Sequence, residues 1–154
     1  MRVPSLALPV IALVSFGAAP AREDAVKKEL LKMEGAWQLV RGDEGGEPFS
    51  EYVVKNLEVS IKGDQLTFKN IAPLTDKAGK LTIKIDPSTT PKCIDLKVEA
   101  GSLKGTVLEG VYECKGDELK LCLFFASGTR NRPLEFETKA GSNRVLLVLK
   151  RQDP

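Results

Sequence analysis

Histidine is absent from the 154-residue chain. Metal sites built on imidazole, Ser-His-Asp triads and Cys-His pairs are excluded with it. Charge of either sign is not in excess: 23 Lys and Arg stand against 21 Asp and Glu. A nucleic-acid binder needs a basic stripe to neutralise phosphates, and none is present. Aromatics are scarce at 6%, with a single tryptophan. Beyond the first residues no apolar run reaches the ~18 residues of a membrane span. There is no internal repeat, low-complexity tract, linker or cofactor-binding pattern.

What is present begins with residues 1–21, MRVPSLALPVIALVSFGAAPA. One positive charge, Arg2, precedes an apolar run from Leu6 to Phe16, and small residues follow. Ala19-Pro20-Ala21 has the A-x-A form read by signal peptidase. Cutting after Ala19 would leave an N-terminal proline, so the expected cut follows Ala21. The run is short, Pro4 precedes it and Pro9 interrupts it, which suits a signal peptide better than a retained span. The expectation is an exported protein whose domain occupies residues 22–154. A domain of that size buries roughly two-thirds of its unfolded surface, enough for one core without staples.

Asp24 to Glu34 reads as a helix. Val26, Leu30 and Met33 recur on one face, Asp24 can cap it, and Gly35 stops it. From there the period changes from 3.6 to 2. Short alternating stretches begin at Trp37, Leu57, Leu66, Leu81, Ile94, Tyr112, Leu119, Leu134 and Val145. Two-residue turns at Gly63-Asp64 and Gly116-Asp117 pair Ile61 with Leu66, Val59 with Phe68, Cys114 with Leu119, and Tyr112 with Leu121. Strands that bury one face and are joined by tight turns suit an antiparallel sheet, and a long one removes its edges by closing. The pattern predicts an all-β fold: an up-and-down barrel of about eight or nine strands with one short N-terminal helix.

Gly35-Ala36-Trp37, at the passage from helix to first strand, resembles the G-x-W signature of lipocalins. That resemblance implies that Trp37 closes one end of the barrel while Arg151, from the last strand, stacks on it. More of the chain resembles an uncharacterised lipocalin-like family abundant in planctomycete bacteria. The matching pieces are Gly35-Ala36-Trp37, Ile85-Asp86-Pro87, Pro91-Lys92-Cys93-Ile94-Asp95-Leu96, Gly110-Val111-Tyr112-Glu113, Gly116-Asp117-Glu118-Leu119-Lys120-Leu121-Cys122 and Arg132-Pro133-Leu134-Glu135-Phe136. The resemblance implies a lipocalin-like barrel and export. It carries over no activity, ligand or catalytic residue.

The three cysteines are Cys93, Cys114 and Cys122. Alternation puts Cys114 on the core face and the other two outward. In a meander the strands of Cys93 and Cys122 lie about 9–10 Å apart, beyond the ~7 Å reach of a bridge, so no disulfide is expected. Asp86, Asp95, Glu109, Glu113, Glu135 and Glu137 fall mostly at outward positions, which suits solvated charges rather than a catalytic pair. Glu113 faces Lys120 across the second hairpin. The loop Ser127–Pro133, with Arg130 and Arg132, reads either as an anion-binding lip or as a solvated connection.

Val107, Val111, Cys122 and Phe124 share the outward phase of neighbouring strands, and Val145–Leu149 is apolar on both faces. Something must cover these surfaces: the 24–34 helix, the loop Ile71–Leu74 or a partner. Two functions follow. The first is an exported, non-enzymatic binding module for a small apolar or amphipathic ligand. Its candidate lining is Phe68, Ile83, Ile85, Leu96, Tyr112, Leu121 and Leu123. The second is a filled barrel that engages a protein through the outer patch. An enzyme ranks last, for want of histidine and of any nucleophile motif, and no metal or cofactor is called for.

Overall fold

The computed structural model describes residues 18–125 and 131–153. Residues 1–17, most of the expected signal peptide, lie outside the described residues, as do Ser127 to Arg130 of the polar loop. The chain runs α1 (Ala18–Met33), β1 (Gly35–Glu44), β2 (Glu47–Pro48), α2 (Glu51–Asn56), β3 (Glu58–Lys62) and β4 (Gln65–Lys69). It continues through α3 (Ala72–Ala78), β5 (Lys80–Asp86), β6 (Lys92–Ala100), β7 (Val107–Lys115), β8 (Glu118–Phe124) and β9 (Arg144–Arg151).

Sequential antiparallel pairing from β3 to β9, with β1 bonded to both β3 and β9, closes an eight-strand barrel of lipocalin-like architecture. The two-residue β2 hangs on the end of β1. Closure is the physical consequence of a long antiparallel sheet whose edges would otherwise expose unpaired amides. Both tight hairpins form in the expected register, with Ile61 opposite Leu66, Val59 opposite Phe68, Tyr112 opposite Leu121 and Cys114 opposite Leu119. Gly63 and Gly116 turn them at φ of 60° and 56°, which a residue without a Cβ adopts at no steric cost. A bulge at Val40 shifts the β1–β9 register and leaves that side chain 48% exposed.

The inward positions form one core cluster that includes Trp37, Val59, Phe68, Ile83, Leu96, Tyr112 and Leu121. The strand sequences dictate it, because alternate residues share a face.

Four expectations change. The helix starts at Ala18 rather than Asp24, so the expected cut after Ala21 falls within its first turn. Leu134–Glu137 forms no strand: β8 pairs directly with β9 and leaves it no slot. Residues 131–143 instead run as an irregular strap over the outer face. There Phe136 packs on Val111, Cys122, Leu146 and Val148, and the Cys122 thiol donates to Glu137 O. Third, the outer patch is covered by the chain itself. Val111, Cys122 and Phe124 are buried and only Val107 is open, at 48%. Neither proposed cover lies there, because α1 crosses one end of the barrel and Ile71–Leu74 packs on the inner core. Last, Glu113 does stand opposite Lys120, but its ion pair goes to Lys115 (3.2 Å) and Lys120 turns to Glu118 (3.5 Å).

Candidate functional site

The two barrel ends differ in kind. One is sealed by α1. Val26 and Leu30 pack on the core and Met33 is fully buried, the face its spacing anticipated. The last carbonyls of a helix lack partners within it, and the barrel supplies them. Trp37 Nε1 donates to Met33 O (2.9 Å), Arg151 donates to Lys32 O (2.7 Å) and to Glu34 O, and the Cys114 thiol donates to Lys32 O (3.6 Å). The Arg151 guanidinium lies 4.3 Å from the Trp37 ring centre. One arginine thus stacks on the tryptophan and brings a cation to the negative end of the helix.

About one turn before the end of α1, Glu29 is the buried charge of this end. Its carboxylate accepts from Lys32 Nζ (2.8 Å), Lys92 Nζ (3.0 Å) and the Tyr112 hydroxyl (3.1 Å). Burial alone would raise its pKa, but these bonds outweigh burial and hold it at about 2. Burial and the Glu29 charge push the Tyr112 hydroxyl far up, so it stays a donor. An open cleft of about 540 Å³ lies beside α1, with Arg22, Lys28, Lys92 and Asp86 among its walls. Its floor is Glu29, already bonded three times.

The opposite end is open. α2 and α3 flank a cavity of about 470 Å³ lined chiefly by Phe49, Val53, Leu57, Phe68, Ile71, Leu74, Leu103, Phe125, Val145 and Leu147. Among the described residues, Glu44 and Lys77 are its charged members. Local sequence explains the frame. Ser50 caps α2 by accepting from Val53 N, and Pro73 sits in the first turn of α3, where a missing N–H costs nothing. Gly42 lies under the Phe49 ring, where a Cβ would overlap it, and Phe49 N donates to Gly42 O (2.9 Å).

Of the seven proposed lining residues, Phe68 borders this cavity. Ile83, Ile85, Leu96, Tyr112, Leu121 and Leu123 are buried in the packed core below it. Trp37 and Arg151 meet at the sealed end as expected. Phe49, Val53, Leu74, Leu103 and Phe125 sit in connections, outside the alternating strands that supplied the expected lining. The signals were there: an S-x-x-V cap before α2, and Ile71 and Leu74 at helical spacing around Pro73.

The polar loop gives no free anion site at Arg132. Its guanidinium donates to Ile94 O (3.0 Å), Gly110 O (2.8 Å) and Asp95 Oδ1 (2.7 Å), which pins the strap to β6 and β7. The three thiols are unbridged, with Val111 standing between Cys93 and Cys122 in the register. Burial raises the pKa of Cys114 and of Cys122, away from nucleophilic character. Among the described residues no group of three or more side chains is placed to hold a metal ion, and no helix is long and apolar enough to cross a membrane.

The architecture and its apolar mouth define a closed antiparallel barrel with one sealed end and one accessible end. Comparison with family models, curated proteins and solved structures finds no match for the chain.

Proposed function

We propose that this protein is an exported, non-enzymatic binding module that takes a small apolar or amphipathic molecule into the mouth of its barrel. One observation carries the reading: an apolar cavity of about 470 Å³ that opens between α2 and α3 while the other end is sealed. Ligand sites are concave, largely apolar pockets with few polar groups, and this mouth has that composition. Export rests on the residue pattern of 1–21. The alternative, a partner surface on the outer patch, loses its main support because Phe136 and its strap cover that face.

The test is a fluorescence titration with 1-aminoanthracene, an uncharged apolar probe, on the protein recovered from its own host. Saturable one-to-one binding is expected. Leu74→Trp, at a half-buried wall position, should weaken it about tenfold by filling the mouth. Leu134→Ala, on the exposed strap, should leave it unchanged. N-terminal sequencing of the same material should begin at Arg22. Absence of saturable binding, or equal affinity in Leu74→Trp, would overturn the ligand reading, and an intact Met1 would overturn the export reading.

A further inference from the structure

Among the described residues, the mouth carries two charged side chains without a partner. Glu44 ends β1 and Lys77 stands in the last turn of α3; both border the cavity and both are exposed. Among the described residues neither side chain has an ion pair or a hydrogen bond. The sealed end is arranged differently, with Glu29 and Arg151 fully engaged.

Their places around the ring decide what they can recognise. In the eight-strand circuit β1 and β6 are four steps apart in either direction, hence diametrically opposed. Glu44 belongs to β1. Lys77 is held over the end of β6, where Leu103 N donates to Lys77 O (3.0 Å) and Ser102 N to Asp76 O (3.1 Å). Eight strands at ordinary spacing and tilt make a barrel roughly 16 Å across. A lysine and a glutamate therefore border one largely apolar mouth from opposite sides of the ring. A headgroup of one sign can engage only one of them. A headgroup carrying both signs engages each. The Glu44 side also holds an aromatic ring: Phe49, tied to β1 at Gly42 O, borders the same mouth. A carboxylate beside an aromatic face favours an alkylated ammonium.

We infer that the mouth selects zwitterionic amphiphiles, with the tail in the cavity, an alkylammonium toward Glu44 and Phe49, and a phosphate or carboxylate toward Lys77. This rests on the mouth being the ligand site, and the experiment separates the two claims. Bound 1-aminoanthracene is displaced, below micelle-forming concentrations, by four single-chain C12 compounds: dodecylphosphocholine, dodecyl dimethylglycine betaine, laurate and dodecyltrimethylammonium. Either zwitterion should displace the probe at about fivefold lower concentration than laurate or dodecyltrimethylammonium; the zwitterion that competes better identifies a phosphate or a carboxylate as the anion. Lys77→Met should reduce the zwitterion advantage and rank dodecyltrimethylammonium above laurate, and Glu44→Gln should produce the reverse order. Both positions are exposed, so both variants keep the fold. If all four compounds compete within twofold, or both variants give one order, the charge reading is overturned while the mouth reading stands. Failure of the neutral probe to bind overturns both.

Discussion

Glu29→Gln changes a buried carboxylate to an amide of nearly equal size and keeps an acceptor for the Tyr112 hydroxyl. The wild-type side chain is 9% exposed. Burial raises its pKa, and bonds from Lys32, Lys92 and Tyr112 more than reverse that, to about 2 from 4.5. Ionised Glu29 therefore stabilises the fold by roughly 3 kcal/mol at the usual ~1.4 kcal/mol per pH unit. Lys32 and Lys92 are 51% and 37% exposed, and water screens their share, so about 2 kcal/mol is the expected loss. The folded value lies below the unfolded one. The contribution is thus complete above about pH 4.5 and fades as pH falls toward 2. Urea denaturation followed by the single tryptophan, Trp37, reads it. At pH 7 the midpoint should fall by about 1 M, since slopes run ~1–3 kcal/mol per molar. At pH 2.5 the gap between variant and wild type should shrink to a minor fraction. Other carboxylates protonate there in both proteins and cancel. An undiminished midpoint at pH 7, or the same gap at both pH values, would refute the argument that Glu29 fastens α1 by its charge.

Two further outcomes follow from the contacts. Arg132→Ala removes three bonds that seat the strap, about 1.5 kcal/mol for partly exposed partners. With Cys93 and Cys114 replaced by serine, a thiol reagent should then label the buried Cys122 about tenfold faster, and an unchanged rate would mean that the strap is seated without Arg132. Arg151→Lys keeps the charge but loses the flat group that stacks on Trp37 while bonding Lys32 O and Glu34 O. Melting should drop by about 4–8 °C for a loss near 1.5 kcal/mol, and equal melting points would show the stacking to be idle.

Much of the barrel was legible residue by residue. The hairpins at Gly63 and Gly116 were readable because two local signals agree there: a glycine that turns without strain, and alternation that puts Val59, Ile61, Leu66 and Phe68 on one face. The helix face of Val26, Leu30 and Met33 was readable for the same reason. Leu134–Phe136 misled because two apolar residues spaced by one look alike in a strand and in a strap. Only the direct pairing of Leu121 with Leu147 leaves the segment no partner. The outer patch misled likewise: the outward phase of Val111 and Cys122 was right, but nothing near them in sequence says that Phe136 would lie on top. The mouth was least visible, since Phe49, Leu74 and Leu103 come from three connections that meet only after closure.

The linear chain determined the alternation and the turns, because each depends on residues within a few positions of one another. Tertiary structure alone decided which apolar residues stay packed and which border open space. It also decided where Glu29 finds its two ammonium groups and its hydroxyl, and that Glu44 and Lys77 border one mouth. Those outcomes depend on how strands far apart in sequence are brought round into a ring, and periodicity specifies a side chain's face but not its neighbours across the barrel.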